Sequence, residues 1–366
     1  MHPLPARPYE LTGYQMINEV EIRNFRLFEH LTVSDCRRVN VIVGDNGAGK
    51  TTLLEAIFLA LGSSTELGAR YRTFRGLAGS FNGPARRIEE AIWRDYFYMG
   101  EWLKREIFIE TKGSGEESRS VRVTHAPSQL FIPLTSAGSV VPEEATSAPL
   151  RFIWRDSSNH EHAATPTVSL AGIKFEGTEE DLPDFFYFAT GTAIGSIENA
   201  ARFSELSQSG KLHSFVEMFT TEYPIIKDLS LEVVAGAPII FATLKDNNFR
   251  LPVANVSGGI NRMIGVMLGI ASRPKSVVLV DEVDEGIYYK HQTAIWRGLL
   301  SLVKQNDSQL FTTTHNEEWL ESLTEAAGKD VDDIAIWRIE QEKQKPVLHQ
   351  LKGKRALLGI RSGGVR

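Results

Sequence analysis

The chain has 366 residues, of which 42% are hydrophobic and 23% charged, and a formal net charge of −6. Its length allows one large or two modest domains with a sizeable core, and its charge excludes a wholly basic surface for nucleic acid but leaves room for a local basic patch. A single cysteine excludes an internal disulfide and is typical of a reducing cytoplasm. No apolar run reaches the roughly 18 residues that span a bilayer, so we expect a cytoplasmic protein without a membrane segment.

The N-terminal region is predicted to begin with a flexible, proline-rich segment, residues 1–15, and to continue with two paired strands. Apolar residues within 17–25 and 31–33 indicate these strands. Residues 22–26 precede the predicted phosphate loop, and the sequence leaves two explanations for them. They contact the base of a bound nucleotide, or they form a strand at a solvent-exposed edge.

Residues 39–61 predict a strand, a glycine-rich loop and a helix. The loop between strand and helix fits the pattern G-x-x-x-x-G-K-[ST], in which backbone N–H groups and the helix N-terminus converge on an anion. Lys50 would reach the β- and γ-phosphates, and the Thr51 hydroxyl would bind Mg²⁺. A glycine-rich turn that matches by chance is the alternative, and the flanking elements argue against it. The predicted ATP-binding residues are Gly44, Asp45, Asn46, Gly47, Ala48, Gly49, Lys50, Thr51 and Thr52.

The region after this helix, residues 62–87, is rich in glycine and arginine and carries interspersed aromatic residues. Such alternation suits contact with the phosphates and bases of DNA or RNA. A solvated loop anchored by its aromatic residues explains the same composition, and we favour it. A helical pattern then covers residues 88–103, where Trp93 and Trp102 are predicted to pack rather than to stack on bases. The candidate nucleic-acid contacts are Arg70, Arg72, Arg75, Arg86 and Arg87.

The middle of the chain is predicted to be an inserted lobe. Antiparallel strands are indicated at 106–111 and 120–124, a strand at 185–188, two helices at 197–206 and 212–222, and a hairpin over 229–244. A last strand is expected at 331–339. The predicted organisation is a flexible N-terminus (1–15), a head (16–111 and 229–351), an inserted lobe (112–228, flexible over 127–167 and helical over 195–223) and a basic C-terminal tail (352–366).

A second part of the active site is predicted where four apolar residues, Val277–Val280, end in Asp281 and Glu282. This pattern describes a central parallel strand that delivers carboxylates to the phosphate site. Asp281 would hold the Mg²⁺ shell, and Glu282 would orient the attacking water and accept its proton. Strands that end in acids are common by themselves, and the phosphate loop upstream gives this one its meaning.

Two further stretches complete the predicted site. Ser257, Gly258 and Gly259 precede an apolar helix and form either a second anion cradle or an ordinary helix N-cap. His315 follows a strand in the stretch TTTH, where it is either a structural histidine or a sensor of the γ-phosphate.

The order GDNGAGKT, SGG, VVLVDE, TTTH resembles that of ABC-type ATPase heads of the RecF, SMC and OLD-nuclease kind, over about Met16 to Arg338. It is most similar to compact bacterial AAA-family proteins with an OLD-like ATPase domain. The resemblance implies an α/β P-loop fold with a mostly parallel central sheet, an antiparallel N-terminal sheet and an inserted helical or irregular lobe. The stretch after His315 is too short for the Toprim nuclease domain of OLD nucleases, so we expect none in this chain.

The resemblance also implies a mechanism. Two heads would dimerise head to tail, so that Ser257, Gly258 and Gly259 of one copy close on the γ-phosphate held by Lys50 of the other. Glu282 would then drive hydrolysis and release the dimer, with ATP and Mg²⁺ as cofactors. The expected role is a nucleotide-driven dimerisation switch in bacterial anti-phage defence or DNA repair, acting on a separate effector such as a nuclease.

Two other functions remain open from the sequence. The chain could be a stand-alone nucleotide phosphatase or kinase, although a kinase would leave Ser257–Gly259 and His315 without a role. It could also be a scaffold in which nucleotide only holds subunits together.

Overall fold

The computed structural model describes residues 16–352 except 76–84, 114, 116, 127–148, 170–171, 176, 178–182, 192–194, 247, 329–330 and 343–344. Within this part, no helix is long and apolar enough to cross a bilayer. The strands are β1 (Glu19–Phe25), β2 (Phe28–Ser34), β3 (Val39–Gly44), β4 (Ile107–Lys112), β5 (Ser118–His125), β6 (Leu150–Arg155), β7 (Glu161–Ala164), β8 (Thr167–Ser169), β9 (Gly172–Lys174), β10 (Phe185–Phe188), β11 (Ile226–Val234), β12 (Ala237–Leu244), β13 (Arg250–Pro252), β14 (Val277–Val280), β15 (Gln309–Thr313), β16 (Ile334–Glu342) and β17 (Lys345–Lys352). The helices are α1 (Lys50–Leu61), α2 (Glu66–Phe74), α3 (Ala85–Trp93), α4 (Ser196–Gln208), α5 (Leu212–Glu222), α6 (Val253–Val256), α7 (Gly258–Ser272), α8 (Gln292–Gln305) and α9 (Glu317–Ala327).

The central sheet is mostly parallel, with the strand order β10-β14-β15-β3-β16-β17. All its pairs are parallel except β16 with β17. The strands of this sheet are apolar at successive positions because both faces of the sheet are buried. In β14, Val277 and Leu279 face one core, and Val278 and Val280 face the other. Because the strands are parallel, the residues after β3, β14 and β15 meet at one edge of the sheet.

An antiparallel sheet, in the order β2-β1-β4-β5-β6-β7, forms a second layer. Its strands alternate buried and more exposed residues, as in β4, because one face meets the core and the other meets solvent. Helix α1 contacts strands of both sheets. Every residue of this helix except Thr51 is buried, which is why it is apolar on all sides. The predicted fold class is confirmed.

The structure divides the middle of the chain differently from the predicted inserted lobe. Strands β5, β6 and β7 continue the antiparallel sheet, so the predicted flexible arm over 127–167 is wrong for 149–167, and 127–148 lie outside the described residues. Strand β10 pairs with β14 in the central sheet rather than in a separate lobe. The prediction failed because the proline- and serine-rich composition around these short strands masked their alternating pattern.

Three smaller predictions also need correction. Strand β1 pairs with β2 on one side and, as far as Arg23, with β4 on the other, so Ile22 and Arg23 are not in an edge strand. The helix expected over 88–103 ends at Trp93, although Trp93 and Trp102 are buried as predicted. The strand expected to be last, β16, is followed by β17, which pairs with it. The N-terminus before Met16 and the tail after Lys352 lie outside the described residues.

A buried carboxylate ties α1 to its surroundings. The Glu55 side chain is fully buried and accepts two hydrogen bonds of 3.0 Å from the Arg75 guanidinium. Arg26, from the turn between β1 and β2, forms an ion pair with Glu55 at 3.1 Å. The Arg26 guanidinium also lies over the ring of Tyr96, 4.9 Å from its centre. The Glu55 carboxylate therefore connects α1 to the end of α2 and to the turn between β1 and β2.

Replacing Glu55 with Gln should lower the free energy of unfolding by about 3 kcal/mol or more, because two arginines would lose their shared counter-charge in a buried site. Glu66→Gln is the matched control, because Glu66 pairs with Arg70 at the surface and should cost less than about 1 kcal/mol. Urea denaturation of both variants measures the difference. Equal destabilisation would contradict a structural role for the buried cluster.

Candidate active site

The phosphate loop occupies residues 45–49, between the end of β3 and the start of α1. Gly44 and Gly49 have φ values of +147° and +112°, which side-chain-bearing residues rarely adopt. A Cβ at Gly44 would also lie 2.4 Å from the Ile339 carbonyl oxygen of β16. The chain at the start of the loop is therefore packed closely against the neighbouring strand, and this approach requires a glycine at position 44.

Lys50 opens α1, and its ammonium folds back over the loop. The Nζ atom donates to the carbonyl oxygens of Gly44, at 2.7 Å, and Asp45, at 3.0 Å. Burial lowers the pKa of Lys50, and the carboxylates of Glu282, Asp281, Asp45 and Asp284 oppose that shift. A buried ammonium held at the loop is suited to bind an anion such as a phosphate.

Oxygen atoms from three strand or helix ends meet at Asp281, directly after β14. The Thr51 hydroxyl lies 3.1 and 3.0 Å from the two carboxylate oxygens of Asp281. The Thr313 hydroxyl, at the end of β15, donates to Asp281 Oδ1 at 2.6 Å. A carboxylate and hydroxyl oxygens are the donor types that Mg²⁺ prefers, so Thr51 and Asp281 fit the predicted metal site.

Glu282 follows Asp281 in a left-handed backbone conformation, with a φ of +48°. Its N–H donates to the Thr313 hydroxyl at 2.7 Å. Its carboxylate is one-third exposed and lies 3.7 Å from Nδ1 of His315. An accessible carboxylate next to a histidine can orient a water molecule and accept its proton.

A cavity of about 260 Å³ adjoins the phosphate loop. His315 lines it together with polar and charged residues of the loop and of β16. This lining gives the loop a polar neighbourhood on the side of β16. Those residues are Gly44, Asp45, Asn46, Arg338 and Glu340.

The second predicted cradle begins α7. Ser257 precedes the helix in an extended conformation and makes no side-chain capping hydrogen bond, so it is not an ordinary N-cap. A Cβ at Gly258 would meet no atom within 4 Å, whereas one at Gly259 would lie 2.1 Å from the Gly286 carbonyl oxygen. In the described residues, neither Ser257 nor Gly258 hydrogen bonds to the phosphate loop of its own chain.

Arg262 links α7 to the acidic residues. Its buried guanidinium donates to the backbone carbonyls of Ala189, at 2.9 Å, and Asp281, at 2.5 Å. It also lies 3.6 Å from a carboxylate oxygen of Glu285. The start of α7 and the loop after β14 are thus joined in one chain by Arg262 and by the contact of Gly259 with Gly286.

The structure therefore brings together Lys50, Thr51, Asp281, Glu282 and His315. Among the described residues, Ser257 and Gly258 make no hydrogen bond to this group. Sequence reasoning missed Thr313 and Arg262. Their signals were weak, because a threonine in a strand and an arginine in a helix are both ordinary. Thr314 was missed as well, and its hydroxyl donates to Asp284 Oδ1 at 2.7 Å.

The predicted nucleic-acid arginines are mostly engaged within the chain. Arg70 pairs with Glu66, Arg72 donates to the Ala91 carbonyl oxygen, and Arg75 binds Glu55. Arg87 is exposed, and the side chain of Arg86 lies outside the described residues. This pattern favours the alternative explanation for Arg70, Arg72 and Arg75, as residues that anchor the region after α1.

Comparison with known proteins agrees with this geometry. Residues 19–149 match the family model described as an AAA domain. The chain is 18% identical over 344 residues to an ATP/GTP phosphatase of Helicobacter pylori, covering 84% of this chain and 87% of that protein. It is 34% identical over 111 residues to the DNA double-strand break repair Rad50 ATPase of Methanopyrus kandleri, covering 27% and 12% of the two chains.

One further relative and one solved structure are similar to this chain. The chain is 49% identical over 43 residues to the DNA replication and repair protein RecF of Bacillus mycoides, covering 12% of each. A solved SMC head bound to the C-winged helix domain of ScpA superposes with a TM-score of 0.51 at 12% identity, covering 93% of this chain and 99% of that one. The fold is that of an ABC-type ATPase head. By sequence, the chain is similar to an ATP/GTP phosphatase, to a Rad50 ATPase and to a RecF protein over the stretches given above.

Gly259→Ala should lower the free energy of unfolding by about 1–3 kcal/mol, because the new Cβ would collide with backbone atoms of Gly286 that cannot rotate away. Gly258→Ala is the matched control. It has open space and improves helix propensity, so it should not destabilise. Urea denaturation distinguishes them, and a Gly259→Ala protein as stable as the control would show that the packing of α7 on Gly286 is loose.

Proposed function

We propose that this ATPase is a nucleotide-driven dimerisation switch, in which each active site is completed by a second copy of the chain. The observation that carries the proposal is the start of α7. Gly258 is exposed with open space around it, Ser257 leaves its hydroxyl unused as a cap, and the helix N-terminus attracts anions. In the described residues this cradle makes no hydrogen bond to the phosphate loop of its own chain, which supports a role in binding the phosphates held by a second chain.

Lys50 and the loop would bind the triphosphate of ATP, and the charge of the phosphates would compensate the buried ammonium. Thr51 and Asp281 would hold Mg²⁺. When bound, the ion neutralises charge that develops on the phosphates. The fit of the donor set supports this assignment.

Glu282 would orient the attacking water and accept its proton. Its carboxylate is one-third exposed, and Nδ1 of His315 lies 3.7 Å from it. His315 would contact the terminal phosphate. Hydrolysis would remove the group that both copies grip, and the copies would then separate.

The setting we propose is bacterial anti-phage defence or DNA repair, with a separate effector such as a nuclease. The names of the RecF and Rad50 relatives support a DNA setting. The SMC head that shares this fold was solved with another protein bound, which supports a partner. Arg72 and Arg75 hydrogen bond within the chain, so contact with DNA or RNA through these two side chains would require those bonds to break.

A stand-alone nucleotide phosphatase is the second candidate, and the name of the Helicobacter pylori relative favours it. The two functions differ in the effect of dilution. Activity per chain falls on dilution if the site needs two copies, and it stays constant if one copy suffices. A scaffold role would instead leave function intact in Glu282→Gln and abolish assembly in Lys50→Ala.

The Glu282→Gln variant should form a stable dimer in the presence of ATP and Mg²⁺, because the grip on the terminal phosphate persists when the base is lost. Its turnover should fall by about 10²–10⁴-fold. The double variant Glu282→Gln, Gly258→Glu should bind ATP and stay monomeric, since a carboxylate would face the phosphates. Measurement of the molecular mass in solution, with and without ATP and Mg²⁺, determines the oligomeric state of both variants. A monomeric Glu282→Gln protein that has bound ATP would contradict the switch.

Direct binding of DNA should weaken steeply with salt. Three phosphate contacts predict a loss of roughly 40-fold in affinity between 50 and 200 mM salt. Fluorescence anisotropy with a labelled duplex, in the presence of ATP and the Glu282→Gln variant, measures the slope. A flat salt dependence would remove DNA as a direct ligand and would leave the ATPase switch itself untouched.

A further inference from the structure

The hydroxyl group of Thr313 contacts both acidic residues of the site. Thr313 is the last residue of β15 and is fully buried. Its Oγ1 donates to Asp281 Oδ1 at 2.6 Å and accepts the N–H of Glu282 at 2.7 Å. One side chain on a neighbouring strand therefore fixes the carboxylate of the first acid and the peptide group of the second.

The bond to Glu282 matters because of the backbone conformation there. A residue other than glycine at a φ of +48° is uncommon and costs free energy. The hydrogen bond from the Glu282 N–H, and the next one from the Val283 N–H to the Thr313 carbonyl oxygen at 3.1 Å, stabilise this conformation. The direction of the Glu282 peptide in turn decides where its carboxylate points.

The sheet order explains why this residue can reach both acids. Strand β15 lies between β14, which ends at the acids, and β3, which ends at the phosphate loop. Thr51, at the start of α1 next to the phosphate loop, hydrogen bonds to the Asp281 carboxylate. Thr313 hydrogen bonds to the same carboxylate from the central sheet. The second anchor comes from a strand of the central sheet and does not involve the phosphate loop.

We propose that Thr313 is a positioning residue for hydrolysis: it orients the Asp281 carboxylate toward the metal and the Glu282 side chain toward the attacking water. The alternative is that Thr313 is a structural residue whose hydroxyl only forms the hydrogen bonds that a buried hydroxyl requires. Thr312 is such a residue, because its Oγ1 donates to the Val280 carbonyl oxygen at 3.0 Å and touches neither acid. The inference rests on the proposed hydrolysis at Asp281 and Glu282.

Hydrogen exchange in the nucleotide-free protein tests the structural half of the proposal without any turnover. Thr313→Val should speed exchange of the Glu282 amide, because the amide loses its acceptor. Thr313→Ser should keep it slow, and so should Thr312→Val. Unchanged exchange in Thr313→Val would overturn the proposal, whatever the nucleotide chemistry proves to be.

Steady-state kinetics test the functional half. Thr313→Val should lower kcat by about 10–100-fold and raise the Mg²⁺ concentration for half-maximal activity, while ATP binding without Mg²⁺ stays unchanged. Thr313→Ser should restore both parameters, and Thr312→Val, with a comparable loss of thermal stability, should change neither. Wild-type kinetics in Thr313→Val, or an equal loss in Thr312→Val, would overturn the positioning role. Failure of the wild-type protein to hydrolyse ATP would instead refute the proposed function.

Discussion

The burial of α1 between two sheets is the constraint on which the rest of the structure depends. The parallel sheet presents one face to this helix and the antiparallel sheet presents another. Because α1 begins at Lys50, directly after the phosphate loop, any tilt of the helix would move the ammonium and the Thr51 hydroxyl together. The ion cluster of Glu55 with Arg75 and Arg26 opposes such a tilt, since it attaches the helix to the end of α2 and to the first hairpin.

The central sheet organises the other half of the site. Adjacent parallel strands end at the phosphate loop, at Thr313 and at Asp281, so their side chains converge without any long loop. The groups that we propose to act on a terminal phosphate therefore lie at the ends of strands and at the start of α1. The cradle at the start of α7 stands on the other core of the molecule, among the helices that cover the second face of the sheet.

The sequence predicted the parts of this site that are local. The phosphate loop, its strand and its helix occupy one continuous stretch, and the four apolar residues before Asp281 identify β14 by themselves. Contacts between distant residues could not be predicted. Nothing in the sequence around Arg75 indicates that a buried carboxylate 20 positions earlier faces it, so the sequence left Arg75 as a candidate nucleic-acid contact or as part of a solvated loop. Thr313 was unrecognised for the same reason, because its partners lie on another strand. Strands β6 and β7 were missed because they are short and their neighbours have the composition of loops.

Arg262 and the contact of Gly259 with Gly286 have a consequence for a two-fold assembly of the proposed kind. In each copy they join the cradle, which would grip the neighbour's nucleotide, to the acids that serve the copy's own nucleotide. Nucleotide binding at one site would therefore affect the position of the acidic residues at the other site. In such a dimer, hydrolysis at the two sites would be coupled through each copy. The two sites would then hydrolyse ATP either together or in alternation.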